Sequence, residues 1–408
     1  MSSQVVRNLL ARLGILGKLG IWKSRFFQAV NEGILRWWVR PLDRVLMRLM
    51  FSPQHPLRNW LQKGVEWVRN LGLLAMTRLR VHIELFEGSD WSVIYIGVDQ
   101  THSFQELRHI LFPEPAVVRH LGHSFLWRLP ALINQFIAQG HLVVCELNRC
   151  VPWQSHLAPV FMVPPWVRLG LDVSRSQDEI MAGANRSINR TLRKVHEQRF
   201  AYEFSQRLAD FDLFYHKMYV PHITNRHQDW AIVEPYQTKL DFFRQGGLIL
   251  VKLGDQPVAG ALCCSMDGVC VPGSLGIYEG DVDLVRQGAI VALYWAIIDW
   301  AHQNHLRWVD FGMTRPRLHD GVLHFKQQWG MSISRDDLTH TRWVFLCQDL
   351  EPALVHFLNE QGFIAEVDGG YRRVVLTSDE VQPTHEELLH EEKRARKASL
   401  DGLLVLKL

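Results

Sequence analysis

Three apolar segments, 248–253, 258–266 and 269–277, are separated by Gly254-Asp255 and Asp267-Gly268. Links of this composition turn the chain back on itself, because Gly and Asp accept the positive-φ positions that tight hairpins require. The stretch therefore reads as an antiparallel meander. A long helix is expected from about Gly288, with Tyr294, Ile297, Ile298 and Ala301 on one face. It ends near His302 to His305, and a short strand follows at Trp308-Val309-Asp310. A meander followed by a helix and a further strand is α/β.

The rest of the chain alternates in the same manner. Strands are expected at 81–85, 93–98, 142–145, 158–162, 200–204, 343–346 and 372–376, and helices at 103–111, 117–139, 177–198, 208–218, 235–243 and 351–361. His222, Arg226 and His227 fall in an expected loop, and 378–398 reads as a strongly charged, helix-prone tail, solvated or partly disordered. At 408 residues the chain exceeds one ordinary core. The expected divisions are a helical extension over 1–79, a mixed α/β unit over 80–179, an α/β unit over 180–345 and a strand, helix and charged tail over 346–408.

Charge is unevenly spread. The whole chain has a formal net charge of only +3, yet residues 1–80 hold fourteen Arg or Lys against three acidic residues. Amphipathic helices with Trp and Arg suit an anionic membrane surface, or else the tryptophans pack on the neighbouring unit and the arginines are solvated. No apolar run is long enough to span a bilayer, and Arg12, Lys18 and Lys23 break any leader, so neither a spanning helix nor a secretory signal is expected. The expected location is cytoplasmic, at the inner face of the membrane. Six cysteines without a C-x-x-C pair point to reduced thiols, and no metal site is expected.

Chemistry concentrates in 294–329, YWAIIDWAHQNHLRWVDFGMTRPRLHDGVLHFKQQW. A strand ending in Asp310-Phe311-Gly312 precedes a Phe325-Lys326 pair, which lies shortly before Trp329-Gly330. This order resembles the C-terminal half of a GNAT-type domain, in the branch of the Fem aminoacyltransferases and related acyltransferases of envelope and polysaccharide synthesis. The resemblance runs from about Ala184 to Gly330. It implies a GNAT-like mixed sheet flanked by helices, with two related α/β units, and transfer of an acyl or aminoacyl group to an amine or hydroxyl of an envelope or glycan precursor.

The resemblance also assigns roles. Lys326 is the fixed cation beside the acyl donor, where it stabilises developing negative charge; a surface lysine on an amphipathic helix is the plainer alternative. Asp310, or a histidine such as His324, orients or deprotonates the acceptor; beside a glycine, Asp310 equally suits a turn cap. His222, His227 and His319 are the other nearby candidates. Arg286, Gln287, Gly288 and Ala289 form the turn whose amides, at a helix N-terminus, receive the donor's phosphates. Arg186, Arg190 and Arg193, a basic helical stripe, suit a phosphate-bearing substrate or a solvated face, and Phe325 and Trp329 line the substrate site.

The donor is acyl-CoA or aminoacyl-tRNA, with no tightly bound cofactor. Fem enzymes that use aminoacyl-tRNA carry a long two-helix arm that 184–330 lacks, which disfavours tRNA. The turn at 285–289 lacks the fuller glycine pattern of acyl-CoA binders, which pulls the other way. The competing expectation is a non-catalytic binding protein of this fold at the membrane surface.

Overall fold

The computed structural model describes residues 81–408 except 88–90, 98–101, 113–116, 125–127, 149–160, 228–232, 335–340 and 347–349. The extension expected over 1–79 lies outside the described residues. Two compact units are present. One contains the described residues up to Trp166 together with 316–319 and 337–408; the other contains 167–315 and 320–336.

The first unit opens with β1 (Val81–Glu87), β2 (Ser92–Gly97), α1 (His102–Leu111), β3 (Val117–Ser124), α2 (Leu129–Ile137), β4 (Leu142–Asn148) and β5 (Phe161–Val163). A helix was expected across 117–139, but its first part is a strand paired antiparallel with β1. Val117 and Val118 favour an extended backbone, and Pro130 suits only the first turn of the helix that follows.

The second unit runs through β6 (Val167–Asp172), α3 (Gln177–Gly183), α4 (Arg186–Glu197), β7 (Phe200–Ser205), α5 (Leu208–Phe214), a π-helical turn (Tyr215–Tyr219), α6 (Val220–His227) and α7 (Tyr236–Gln245). The helix expected over 177–198 is two helices, because the Asn185 side chain accepts from the Ile188 amide and caps a new one. The loop expected around His222, Arg226 and His227 is instead α6. Pro221 fits there because a proline lacks the amide that an α-helix needs, and it follows directly on the wider turn of Tyr215–Tyr219. The meander then appears as β8 (Gly247–Leu253), β9 (Gln256–Met266) and β10 (Val269–Ile277), followed by a 3₁₀ turn at Tyr278–Gly280, α8 (Val282–Gln287), α9 (Ala289–Gln303), β11 (Trp308–Thr314), α10 (Gly321–Gln328) and β12 (Ser332–Ser334).

The chain closes with β13 (Thr341–Leu346), α11 (Pro352–Gln361), β14 (Ile364–Val367), β15 (Gly370–Thr377), α12 (His385–Lys397) and β16 (Leu403–Lys407). The helix-prone charged tail is a helix over His385–Lys397 and is ordered. Thr384 and Glu387 form a reciprocal capping box, acids lead α12 and bases end it, and β16 pairs parallel with β15 in a three-stranded sheet.

The unit boundaries follow strand pairing rather than chain order. β6 joins the second sheet, between β11 and β12, so that unit begins at Val167 and not near 180. β13 joins the first sheet, between β4 and β5. The first sheet has the order β3-β1-β2-β4-β13-β5 and the second β12-β6-β11-β10-β9-β8-β7. Both follow one plan. Each is antiparallel throughout except for a single parallel junction, β2 with β4 in one and β10 with β11 in the other.

Strand alternation divides the first unit's core. Val93, Tyr95, Leu142, Val144, Trp343 and Phe345 pack with α1 and α11, while Ile94, Ile96, Val143, Cys145 and Val344 pack with α2. In the second unit α9 is buried along Ala289, Leu293, Ala296, Ile297, Ile298 and Ala301. Cys145, Cys263, Cys264 and Cys270 are free and buried. No helix among the described residues is long and apolar enough to cross a membrane.

Candidate active site

The second unit's parallel junction is barely closed. β10 and β11 pair only at Val269↔Trp308 and Cys270↔Val309. Beyond that point β10 stays with β9 and β11 stays with β6, so the two strands part. A β-bulge sits on the opening edge of β10, between Pro272 and Ser274. Gly276 lies close under the π-helical turn: a Cβ there would come 2.5 Å from the Met218 carbonyl carbon. A bulge and a π-turn at one strand opening are irregularities of the kind that gather at sites.

The turn of Arg286, Gln287, Gly288 and Ala289 leads into α9. Gly288 has φ 105° and its missing side chain leaves room for Thr191 and Val195 of α4. The first amides of α9 therefore lie beside α4. Ile188, Leu192 and Val195 are the buried face of α4, and Arg186, Arg190, Arg193 and Lys194 are exposed. None of these four makes an ion pair among the described residues, whereas Arg286 pairs with Asp283. The free amides of a helix N-terminus favour phosphate, and Arg286, already paired with Asp283, is the basic residue beside this one in sequence.

Lys326 is 3 % exposed and projects from α10 to the parted end of β11. Its ammonium donates to the carbonyls of Phe311 (2.8 Å), Gly312 (3.2 Å) and Met313 (3.2 Å), which uses all three hydrogens. Burial pushes its pKa down to about 8, with Asp310 and then Asp320 opposing the drop. The Asp310 carboxylate accepts from the Gly312 amide (2.9 Å) and pairs with Arg168 of β6. Asp320 caps α10, accepting from Val322 and Leu323 amides at 3.0 and 2.9 Å and from the Thr314 hydroxyl at 2.9 Å. Tyr294 of α9 lies 4.7 Å from Phe311 in a near-parallel stack, with Phe325 edge-on at 5.0 Å and Trp329 at 6.0 Å.

The structure thus gathers Lys326, Asp310, Phe325 and Trp329 at one corner of β11, whereas Arg186, Arg190 and Arg193 lie on the exposed face of α4, turned away from the Thr191 and Val195 that meet Gly288. His324 stands apart: it is exposed on α10 and within 2.9 Å of the Gln328 amide nitrogen. His222 is buried on α6, and His319 belongs to the first unit. Arg168, Asp320 and Tyr294 complete the corner but were not singled out from the sequence. Asp320-Gly321 before a helical stretch is a legible cap signal, whereas Arg168 reaches the site only through strand register. Among the described residues no group of three or more His, Cys, Asp or Glu is placed to hold a metal.

Residues 182–327 match the family model of the acetyltransferase (GNAT) domain. No curated protein matches the sequence. Similar solved structures include FemX (11% identity, 64% of this chain and 83% of that one, TM-score 0.37). L-PGS from Bacillus licheniformis is another (10% identity, 71% and 90%, TM-score 0.32). A tandem GNAT protein from the clavulanic acid biosynthesis pathway is a third (10% identity, 65% and 78%, TM-score 0.27). The family match ends one residue beyond the buried lysine and encloses the parted strands, so this part of the chain is similar to the acetyltransferase (GNAT) domain.

Proposed function

We propose that the second unit moves an acyl or aminoacyl group from a phosphate-bearing activated donor to an amine or hydroxyl of an envelope or polysaccharide precursor, in the manner of the Fem-like branch. The observation that carries this is the parting of β10 and β11 after two residue pairs, within the stretch that matches the GNAT domain. The donor's phosphates lie on the amides at Gly288 and Ala289 and along Arg186, Arg190 and Arg193. Its acyl group enters between the strands, where Phe325 and Trp329 back the β11 edge. Attack is direct, within a ternary complex, because both substrates held in one cleft lose little further freedom at the transition state.

Lys326 acts as a fixed cation under the cleft edge. Its hydrogens hold three carbonyls, so it favours developing negative charge through its field and through the edge it fixes. Asp310 holds the turn beneath it. The basic extension, residues 1–79, places the enzyme at the inner membrane face near its acceptor.

Equilibrium binding of acetyl-CoA and of aminoacyl-tRNA tests the reading, with Arg190→Ala/Arg193→Ala as the paired variant. One donor is expected to bind, and the exposed double substitution to weaken it about tenfold or more at unchanged stability. Binding of neither donor by the intact protein would remove the proposal.

A further inference from the structure

His319 sits in a built surround of the first unit that acyl transfer leaves unused. Residues 316–318 run antiparallel to the start of β14. The Ile364 amide donates to the Pro316 carbonyl and the Leu318 amide to the Gly362 carbonyl, both at 2.9 Å, and Arg317 bridges Phe363. Pro316 and Leu318 are buried, so Arg317 and the exposed His319 lie on the other side of this short extended segment. The imidazole rests against Gly362, where a Cβ would come 2.7 Å from its Cδ2. Gly362 also has φ 67° and closes α11, so its backbone and its neighbour both call for glycine.

The other wall is arginine. Arg394 of α12 brings Nη2 within 3.5 Å of both ring nitrogens of His319. One nitrogen equally far from both lies across the ring and not on the axis of either N–H, so the in-plane positions of the imidazole stay open. Arg394 is itself anchored. Its Nη1 donates to Glu391 at 2.7 Å, and Glu391 also accepts from Arg373 Nε at 3.1 Å. Arg373 is buried, and its two terminal nitrogens donate to the Val374 and Asn359 carbonyls. One carboxylate thus answers two guanidiniums. Burial holds the His319 pKa below the ordinary imidazole value, Arg394, Arg373 and Arg317 push it the same way, and Glu391 alone opposes.

We propose that His319 and Arg394 form a binding site for an oxyanion, phosphate or carboxylate, on a ligand of the first unit. Among the described residues no acceptor takes the Nε hydrogen of Arg394 or an N–H of the imidazole. Charge and donors of this kind suit an oxyanion and repel an amine or a metal ion. The anchors through Glu391, Arg373 and Gly362 are set before a ligand arrives, so little side-chain freedom is lost on binding. An anion held against the ring favours the imidazolium, so binding raises the His319 pKa and tightens as pH falls through it. None of these residues belongs to the β11 corner, and the site does not rest on the acyl-transfer reading.

The test reads the imidazole directly. The full chain labelled with ¹³Cε1-histidine is titrated with sodium phosphate or sodium acetate, with sodium chloride holding ionic strength constant. The His319 signal is assigned by its absence in His319→Asn, and that of the exposed His305 in the same way. A saturable shift of His319 is expected with one anion or both, and the anion that produces it identifies the oxyanion. At saturation the His319 titration midpoint should move to higher pH while that of His305 stays. Arg394→Ala should weaken the apparent affinity about tenfold or more, and Arg394→Lys less; the lysine variant decides if the alanine variant does not fold. No shift with either anion, a shift shared equally by His305, an unmoved midpoint at saturation, or parent-like titration of the Arg394 variants would each overturn the site.

Discussion

Replacing Lys326 with Met should change how stability depends on pH, in a direction and size that the structure sets. Burial lowers the ammonium's pKa from its ordinary 10.5 to about 8, against the pull of Asp310 and Asp320. The unfolded chain keeps this proton until about 10.5, whereas the folded chain releases it near 8. Between those values unfolding takes up a proton, so wild-type stability rises with pH across the window. Below pH 8 both states hold the proton and the cost of burying the charge is present in full. At roughly 1.36 kcal/mol per unit of displacement, the gain from pH 8 to 10.5 is about 3 kcal/mol. Met at 326 has nothing to titrate. Urea unfolding of both proteins in matched buffers should show wild type gaining on Lys326→Met by about that amount, since other groups cancel in the difference. Lys326→Arg keeps its charge throughout and should track the Met variant's slope. A wild-type minus Met difference that stays constant within about 0.5 kcal/mol over the window would show that the lysine is not held charged in a dry corner.

Two further substitutions test the architecture around it. Asp310→Asn removes the carboxylate that pairs with the largely buried Arg168, and should cost about 3 kcal/mol in urea unfolding, because one charge of the pair stays behind; no loss would mean that Arg168 finds another partner. Gly276→Ala puts a Cβ within 2.5–2.7 Å of the Met218–Tyr219 backbone and should cost about 2 kcal/mol by the same measurement, while Gly321→Ala, with nothing within 4 Å, should be neutral or slightly stabilising; equal effects at the two glycines would refute the close packing of the π-turn.

What was legible in the sequence was local. The meander could be read because its turns carry their own chemistry: Asp267 and Gly268 take φ 51° and 79°, and Gly254 takes φ 61°. Lys326 stood out through its Phe and Trp-Gly context. What was not legible was non-local. The apolar residues of β3 also fit a helical spacing, and only pairing with β1 decides for a strand. β6 and β13 reach their sheets across long stretches of chain, which no local pattern announces. His324 was grouped with Lys326 by closeness in sequence, yet two residues along a helix are about 200° apart around it, so one is buried while the other faces solvent. Arg168 gives no signal at all before β6 is placed beside β11.

The two parallel junctions explain why a lysine is buried at this corner. In the first unit β2 and β4 pair at four successive positions, from Val93↔Leu142 to Ile96↔Cys145, and Tyr95 donates to Glu146 across the same junction. That junction is closed and its side chains are core. In the second unit pairing stops after two positions. Strands that part leave backbone carbonyls and amides without the ladder partners they would otherwise have, and a buried carbonyl without a donor is costly. On β11 the carbonyls of Phe311, Gly312 and Met313 are met by the single ammonium of Lys326, and the Gly312 amide by Asp310. A neutral side chain of that length offers fewer hydrogens, and Arg's planar fork does not converge on three neighbouring carbonyls as an ammonium does. The lysine and aspartate are thus what allow β11 to leave β10 without an unmet edge. On the β10 side the Ser274 hydroxyl donates to the Gly273 carbonyl at the bulge, at 2.7 Å.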